Sequence, residues 1–465
     1  MKQKNSLLSF SRTYKNLLAI ARSAPAKSIA IALCIIFFTV MSSSAQDSQD
    51  RQYLSAGESD PIKMGWMQGF PPPKDKRLRF ADGSFFEFPA LRYSVAHMRE
   101  FMPTVDVSRG IKNQPVPFEY DLDENIDSLT FVPWNSDEEM TWEASLGKNY
   151  TDGILILHQG KIIYEKYFAA FTEVGQHAVM SLTKSFTGTL GAMLAAEDTL
   201  DESKTVVEYV PELKNSAFAD ATVRQVMDMT TALKFSEDYS DPNAEIWQYS
   251  AAGNPLPKPK NYNGPIGYYE YLQTVQKDGK HGEAFGYKTV NADALGWIIS
   301  KTTGKSVAQL LSERIWQPLG MEQNGYYSVD ELGIPFAGGG LNAGLRDLGR
   351  FGELIRNKGN WQGKQIIPQS VVEDIEQGGS KEAFAKSDHD ELEGWSYRDM
   401  WWITNNKDGA FAARGVHGQT IYIDPTAEIV IVRFASHPVA ANSANDPYSL
   451  PAYQAVADYL KERSS

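Results

Sequence analysis

Apolar residues recur along this chain with two periods, and the switch between them marks out its elements. Gly153-Ile-Leu-Ile-Leu-His158 and Lys161-Ile-Ile-Tyr-Glu-Lys-Tyr-Phe168 are apolar-rich runs split by Gln159-Gly160, which predicts a β-hairpin. The first run is apolar almost throughout, as in a strand buried on both faces, and His158 at its end reads as structural. From Ser181 the period changes. Phe186, Leu190, Met193 and Leu194 fall at helical spacing, so a helix opens at Ser181 and buries that face. Gly188 and Gly191 share a face of it and leave room for close packing. A Pro211-Glu-Leu connection and a short helix near Val223–Met229 follow, then a loop region over 236–265 rich in Asp, Pro, Gly and Tyr. Asn291 reads as the N-cap of a helix from Ala292 to Thr303, closed by Gly304. Ser306 caps the next helix, which ends at Gln317-Pro-Leu-Gly. Gly338-Gly-Gly is a tight backbone site before an amphipathic helix around Arg346–Arg356. Phe411–Gly415, Gln419–Ile423 and Ile429–Ala435 read as strands, and Tyr453 to Arg463 as a closing helix. Strands first and last around a helix-rich middle predict an α/β (α+β) fold: one sheet completed by both chain ends, with a helical insertion.

The two chain ends differ in charge. Residues 1–45 carry six basic residues and no acid, then an apolar run from Ile29 to Val40 and Met-Ser-Ser-Ser-Ala-Gln. These are the parts of a secretory signal peptide, with cleavage expected near Ala45 and a periplasmic or secreted product. An uncleaved membrane anchor is the alternative, although the apolar run is short for a span. Loss of the six positive charges deepens the net charge from −13 to −19. So acidic a chain, with no later basic run, argues against nucleic acid as a partner. The single cysteine, Cys34, lies in the signal; the rest has no disulfide, thiol catalysis or cysteine metal site. Residues 46–134 read as an extended arm, with Gly69-Phe-Pro-Pro-Pro73 disfavouring helix. Trp66, Phe70, Phe85, Phe86 and Phe88 suit packing on a body that spans 135–465. The arm's part at 64–90 could be a lid or a dimer contact, and Asp121–Asp127 reads as a solvated loop.

Candidate chemistry centres on Ser181-Leu-Thr-Lys184. Residues three apart share a helix face, so hydroxyl and amine can meet, and a partly neutral lysine can activate the serine. The same spacing occurs at Ser145…Lys148, but that stretch runs into Asn149-Tyr-Thr-Asp-Gly153 and reads as a chance match. There is no Gly-x-Ser-x-Gly for an α/β-hydrolase and no clustered histidine motif for a zinc hydrolase.

With Ser181-Leu-Thr-Lys184, Tyr287 and His417-Gly-Gln419 in that order, the chain resembles serine β-lactamase-fold hydrolases over roughly residues 135–460. The branch is the one with class C β-lactamases, DD-peptidases, esterases and 6-aminohexanoate-dimer hydrolases. The Gly-Phe-Pro-Pro arm and Glu237-Asp-Tyr-Ser-Asp-Pro242 are similar to the last subgroup. The resemblance implies an antiparallel sheet flanked by helices, a helix-rich lobe, and a site at the seam, working without cofactor or metal on a small amide or ester. It implies Ser181 as acylated nucleophile and Lys184 as its proton acceptor, alone or through Tyr287, whose phenol pKa the lysine charge would lower. The oxyanion hole would join the Ser181 N–H to a backbone N–H after the third motif, at Thr420. His417, Gly418 and Gln419 would contact substrate, or His417 would be a structural histidine. Tyr239 matches a substrate-contacting tyrosine, or packs as a loop aromatic. Trp401-Trp402 would wall the pocket or form a buried pair. Thr289 stands where penicillin-processing members have asparagine, and His417-Gly-Gln419 where they have Lys-Thr-Gly. These departures favour amide or ester hydrolysis over β-lactam turnover or peptidoglycan trimming; a catalytically silent binding protein is the remaining alternative. Oligomeric state is open.

Overall fold

Strands from the two ends of the chain close one sheet. The computed structural model describes residues 53–465 apart from 112, 113, 135, 240 and 465; the stretch read as a signal, 1–45, lies outside them. In chain order the strands used below are β1 (Thr104–Val107), β2 (Thr151–His158), β3 (Lys161–Tyr167), β4 (His177–Ala178), β5 (Gly325–Ser328) and β6 (Leu341–Ala343). They continue as β7 (Ser396–Arg398), β8 (Trp401–Ile403), β9 (Phe411–Gly415), β10 (Gln419–Asp424) and β11 (Ile429–Ala435). Seven form an antiparallel sheet in the order β7-β8-β9-β10-β11-β2-β3. β2 pairs with β11, Ile156 opposite Ile431, and turns into β3 through Gln159 and Gly160, both at positive φ, the backbone of a tight hairpin turn.

Helices cover both faces of this sheet. α1 (Trp142–Lys148) and α7 (Asp446–Ser464) lie on one side; α2 (Thr183–Ala196) and α6 (Leu345–Arg356) lie on the other. The alternation along β2 follows. Ile154 and Ile156 pack with Trp142 and Tyr453, while Leu155 and Leu157 pack in the cluster of Phe186 and Leu348. All four β2 side chains are fully buried, each contributing about 1.5–3 kcal/mol relative to exposure. The other lobe is built from α3 (Val223–Met227), α4 (Glu245–Ala252) and α5 (Val290–Thr303), with α5 packed on α2.

α2 is buried all round through residue 194, so its polar side chains bond inside the protein. Ser185 Oγ donates to Met400 O at 2.7 Å, and Thr187 Oγ1 to Ala337 O at 2.9 Å. Thr189 Oγ1 accepts from Trp401 Nε1 at 3.1 Å. These bonds index the helix in rotation and height, because shifting it would leave buried polar groups unpaired. The two helix glycines meet different neighbours. A Cβ on Gly188 would sit 2.0 Å from Asp399 O, whereas one on Gly191 would touch Leu295 at 3.2 Å.

Several elements depart from the sequence reading. A second sheet, β1-β5-β6-β4, carries the chain into Ser181; its shortest strands have two and three residues, too few for a periodic signal. β1 lies in the stretch read as an arm, whose end is thus woven into the body. Residues 142–148 are helical, but Ser145 Oγ donates to Trp142 O and the Lys148 ammonium sits over Tyr448. The 236–265 region contains α4. Asn291 lies inside α5, which Thr289 precedes; its side chain is buried and bonded to Thr231 and Lys288 O. α7 begins at Asp446, ahead of Tyr453. Phe70 is fully exposed, whereas Phe85 is buried. In the acidic stretch, Asp127 pairs with Lys166 at 2.6 Å, and Asp123 pairs with Arg463.

Gly188→Ala forces a methyl group into the Asp399 carbonyl, a backbone atom with no rotamer to yield. Overpacking of this kind costs about 1–3 kcal/mol, so the denaturant midpoint should fall with an unchanged slope, while Gly191→Ala should cost less.

Candidate active site

Ser181 sits at the top of α2 because the chain turns sharply before it. β4 ends at Ala178, and Met180 takes a left-handed φ of 50°. A 3₁₀ turn over Met180–Leu182 then feeds the helix. One turn on, Lys184 Nζ donates to Ser181 Oγ at 2.8 Å and to Gly338 O at 2.6 Å. The lysine is 1 % exposed. Burial pushes its amine down to about 8, although Glu237 and Asp293 pull it the other way. The Gly338 carbonyl is itself held in place. Ala337 N donates to Asp293 Oδ1 at 3.0 Å, and Tyr249 donates its hydroxyl to the same carboxylate. Asp293, fully enclosed, is pushed up to about 7, mainly by burial.

Tyr287 closes the third side. Its ring lies 5.0 Å from Lys184 Nζ and its hydroxyl meets that of Ser181. The expected drop in its pKa is reversed. Burial holds the phenol well above its ordinary range, the Glu237 carboxylate adds to this, and the contacts with Ser181 and Arg414 offset only part. The physical reason is that an enclosed phenolate loses its hydration, and this outweighs the groups that favour the charged form.

Glu237 is the residue that the reading of single motifs missed. It accepts the backbone N–H of Thr289 and faces Lys184 and Tyr287. Burial raises its pKa, and the Lys184 charge opposes that rise. Tyr239 bonds to Glu237 and stands edge-on to Trp247 at 5.9 Å, so it joins the cluster. The signal was present in Glu237-Asp-Tyr and in Gly338-Gly-Gly, but neither stretch names its partner. The tryptophans divide between two roles because adjacent strand residues face opposite ways. Trp401 is core, and Trp402 lies 5.4 Å from Tyr287 and under the Arg414 guanidinium. Arg414 is in turn held by Asp446 at 2.5 Å.

The strand segment at Ser181 is not the one expected. A Cβ on Gly415 would lie 2.7 Å from Val179 O and 3.0 Å from Ser181 N. The absence of that atom lets β9 run directly against the turn, and the next N–H is that of Val416. His417 points elsewhere: its φ is 63°, it is buried, and its Nδ1 meets His437 O at 2.7 Å. Burial lowers its pKa to about 4, which keeps it neutral. Gly418 O accepts from Arg433 Nε at 2.9 Å. Gln419 bonds both ways to the Ala435 backbone, through Nε2 at 2.6 Å and Oε1 at 3.1 Å. Thr420 lies within the ladder between Arg414 and Arg433, with Tyr453 of α7 beside it. The structure therefore brings Ser181, Lys184, Tyr287 and Tyr239 together and turns the side chains of His417, Gln419 and Thr420 toward β11, α7 and the 437–440 segment. Among the described residues, no group of three or more His, Cys, Asp or Glu is arranged to hold a metal ion.

Comparison with known proteins fits this geometry. The Beta-lactamase family model matches residues 148–453. The 6-aminohexanoate-dimer hydrolase of Paenarthrobacter ureafaciens is 33% identical over 357 residues, covering 76% of this chain and 88% of that protein. A solved structure from Bacillus anthracis, provisionally described as a 6-aminohexanoate-dimer hydrolase, superposes with a TM-score of 0.73 at 38% identity, covering 81% of this chain and 96% of that one. EstCE1, a hydrolase with promiscuous acyltransferase activity, shares the fold with a TM-score of 0.53 at 16% identity, over 68% of this chain and 96% of its own.

A lysine so placed should titrate abnormally. In protein carrying carbon-13 at lysine Cε, the resonance lost in Lys184→Ala should show a midpoint near pH 8. Glu237→Gln removes a charge that favours the ammonium, so the midpoint should move to lower pH. A midpoint near 10, the ordinary lysine range, would contradict the burial argument.

Proposed function

The chain belongs to the β-lactamase family and is a serine hydrolase, and from that premise we propose that it cleaves a small linear amide or ester through an acyl-enzyme on Ser181. The observation that carries the reading is the 2.8 Å bond between Lys184 Nζ and Ser181 Oγ, made by an amine whose pKa burial brings to about 8. Near neutral pH a useful fraction of that amine is free base. It takes the Ser181 proton as Oγ attacks the substrate carbonyl. The oxyanion that forms is met by the Ser181 N–H and by that of Val416, the residue following Gly415 where it packs on the Met180 turn. Lys184, now an ammonium, keeps its bond to Gly338 O and faces Glu237 and Asp293.

Tyr287 handles the leaving group. A phenol with a raised pKa remains protonated, so it can donate to the departing amine or alkoxide and recover its proton from Lys184. The carbonyl–nitrogen or carbonyl–oxygen bond then breaks, leaving Ser181 acylated. Water attacks the acyl carbonyl, gives its proton back along the same relay and releases the acid. General acid–base transfer of this kind contributes about 10²–10⁴-fold.

The substrate class rests on three features. The relative above is named for the hydrolysis of a 6-aminohexanoate dimer. In this chain the segment beside Ser181 offers no Lys-Thr-Gly, and its Arg414 is already occupied by Asp446 and Trp402. Tyr239, Trp402 and Tyr287 gather aromatic surface beside the Ser181–Lys184 pair, suited to a methylene chain. Residues 1–45 serve in this reading as an export signal cleaved near Ala45, which places the enzyme in the periplasm or outside the cell. Residues 46–134 and 135–465 are then the arm and the hydrolase body. N-terminal sequencing of the exported protein should begin near Gln46; an intact Met1 would overturn that part.

A fluorophosphonate should label Ser181, as located by mass spectrometry. Ser181→Ala should abolish the label and Lys184→Ala should slow it by at least about 10²-fold. Turnover of a short-chain nitrophenyl ester and of a 6-aminohexanoate-type amide, without turnover of nitrocefin, is the expected pattern. Rapid nitrocefin hydrolysis would instead favour a β-lactamase. No label and no turnover in folded protein would leave a silent binding protein.

A further inference from the structure

We infer that the arm residues from Leu78 to Met98 are a fixed part of the reacting site, with Phe86 a positioning residue that holds the two backbone N–H groups in convergence. This rests on the acyl-enzyme reading above. The argument begins with strain. The residue before Ser181, Met180, and the residue after Val416, His417, both hold positive φ, 50° and 63°. Non-glycine residues held in that region are unfavourable and persist only where the surroundings over-determine them. Both N–H groups therefore sit beside backbone that would relax if released.

The arm supplies the surroundings. Leu78, Phe85, Leu91, Val95 and Met98 form one buried cluster with Ala178 and Met180. Val95 O accepts the Ala178 N–H at 2.7 Å, so the arm also caps the free edge of β4 directly before the turn. On the other wall, Phe86 stands edge-on to His417 with ring centroids 5.6 Å apart, and Val416 packs on the same cluster. One apolar unit thus touches the chain on both sides of the oxyanion.

The arm is also fastened. Arg92 is 3 % exposed. It reaches Asp152 Oδ1 at 3.2 Å, Ser436 Oγ at 3.1 Å and Ser59 Oγ at 3.0 Å, and lies over the Tyr150 ring. Asp152 in turn meets His177 Nε2 at 3.3 Å, next to the Val95-bonded Ala178. Opening the arm as a lid would draw Arg92 away and leave the Asp152 charge without its guanidinium partner, the strongly unfavourable case for a buried pair. The arm is a buttress, and the exposed Phe70 lies outside this cluster.

The test uses the full chain with Phe86→Ala, Phe86→Leu and Phe86→Tyr. Phe86→Ala should lower kcat for a nitrophenyl ester by about tenfold or more, with KM within about twofold. The rate of fluorophosphonate labelling at Ser181 should fall in parallel, and the acid limb of the pH–rate profile should stay where it is. Phe86→Tyr should restore most of the rate. Hydrogen exchange across 178–182 and 415–418 should quicken in Phe86→Ala; this readout needs no activity. If that variant does not fold, Phe86→Leu should show the same changes to a smaller degree. Wild-type labelling, turnover and exchange in the variants would overturn the inference, as would a loss confined to KM, which would make Phe86 a substrate contact. Absence of label in the parent protein would instead overturn the acyl-enzyme reading, with the exchange result still judging the arm.

Discussion

A lysine amine enclosed at 1 % exposure, bonded to a serine hydroxyl on one side and a backbone carbonyl on the other, is the constraint on which the rest of this structure depends. Burying an ammonium is costly unless its protons are met. Here the cost brings the amine down to about 8, while two carboxylates, Glu237 and Asp293, stand near enough to accept its charge when it gains a proton. Burial lowers the amine's pKa and the two carboxylates raise it, and the balance of these opposed effects sets its charge near neutral pH.

The surrounding fold works to keep that balance. Asp293 anchors the Ala337 N–H, which sets the Gly338 carbonyl over the amine. The polar side chains of α2 lock the helix that carries Lys184, through Met400, Ala337 and Trp401. Gly188 admits the Asp399 carbonyl and Gly415 admits the turn before Ser181. Each is a contact between elements far apart in sequence. The two chain ends meet at β2 and β11, so the sheet that backs the site is complete only when the whole domain is formed.

Tyr287 shows how environment governs a residue's chemistry. Chemical identity suggests a phenol made more acidic by a neighbouring lysine. In place, burial and Glu237 outweigh the positive charges, and the phenol keeps its proton. Such a group serves a proton relay as a donor to the leaving group, with Lys184 as the group that changes charge. Both groups are buried beside Glu237; burial favours the neutral form of each, which brings the amine down to about 8 and holds the phenol well above its ordinary range, and that difference divides the labour between them.

The hairpin at Gln159-Gly160, the Ser181 helix with its buried Phe186 and Leu190, and the strands Phe411–Gly415 and Ile429–Ala435 were legible in the sequence. So were Ser181 and Lys184 as a pair, because helical periodicity alone puts residues three apart on one face. Their family was legible in the order of three motifs. What the sequence could not show was contact between distant segments. His417-Gly-Gln419 stood out by its residue types, yet Gly415 is the position that touches Ser181, and only the crossing of β9 over the Met180 turn reveals it. Asn291 had the composition of a cap, but tertiary partners Thr231 and Lys288 drew it inside the helix. Glu237 lay in view without a role until the fold set it opposite Lys184. Local pattern determined which residues form a helix or a strand, because hydrogen bonding and side-chain period are near-neighbour properties. Tertiary structure alone decided which groups lose water and which charges they then face, and protonation in this site follows from those two facts.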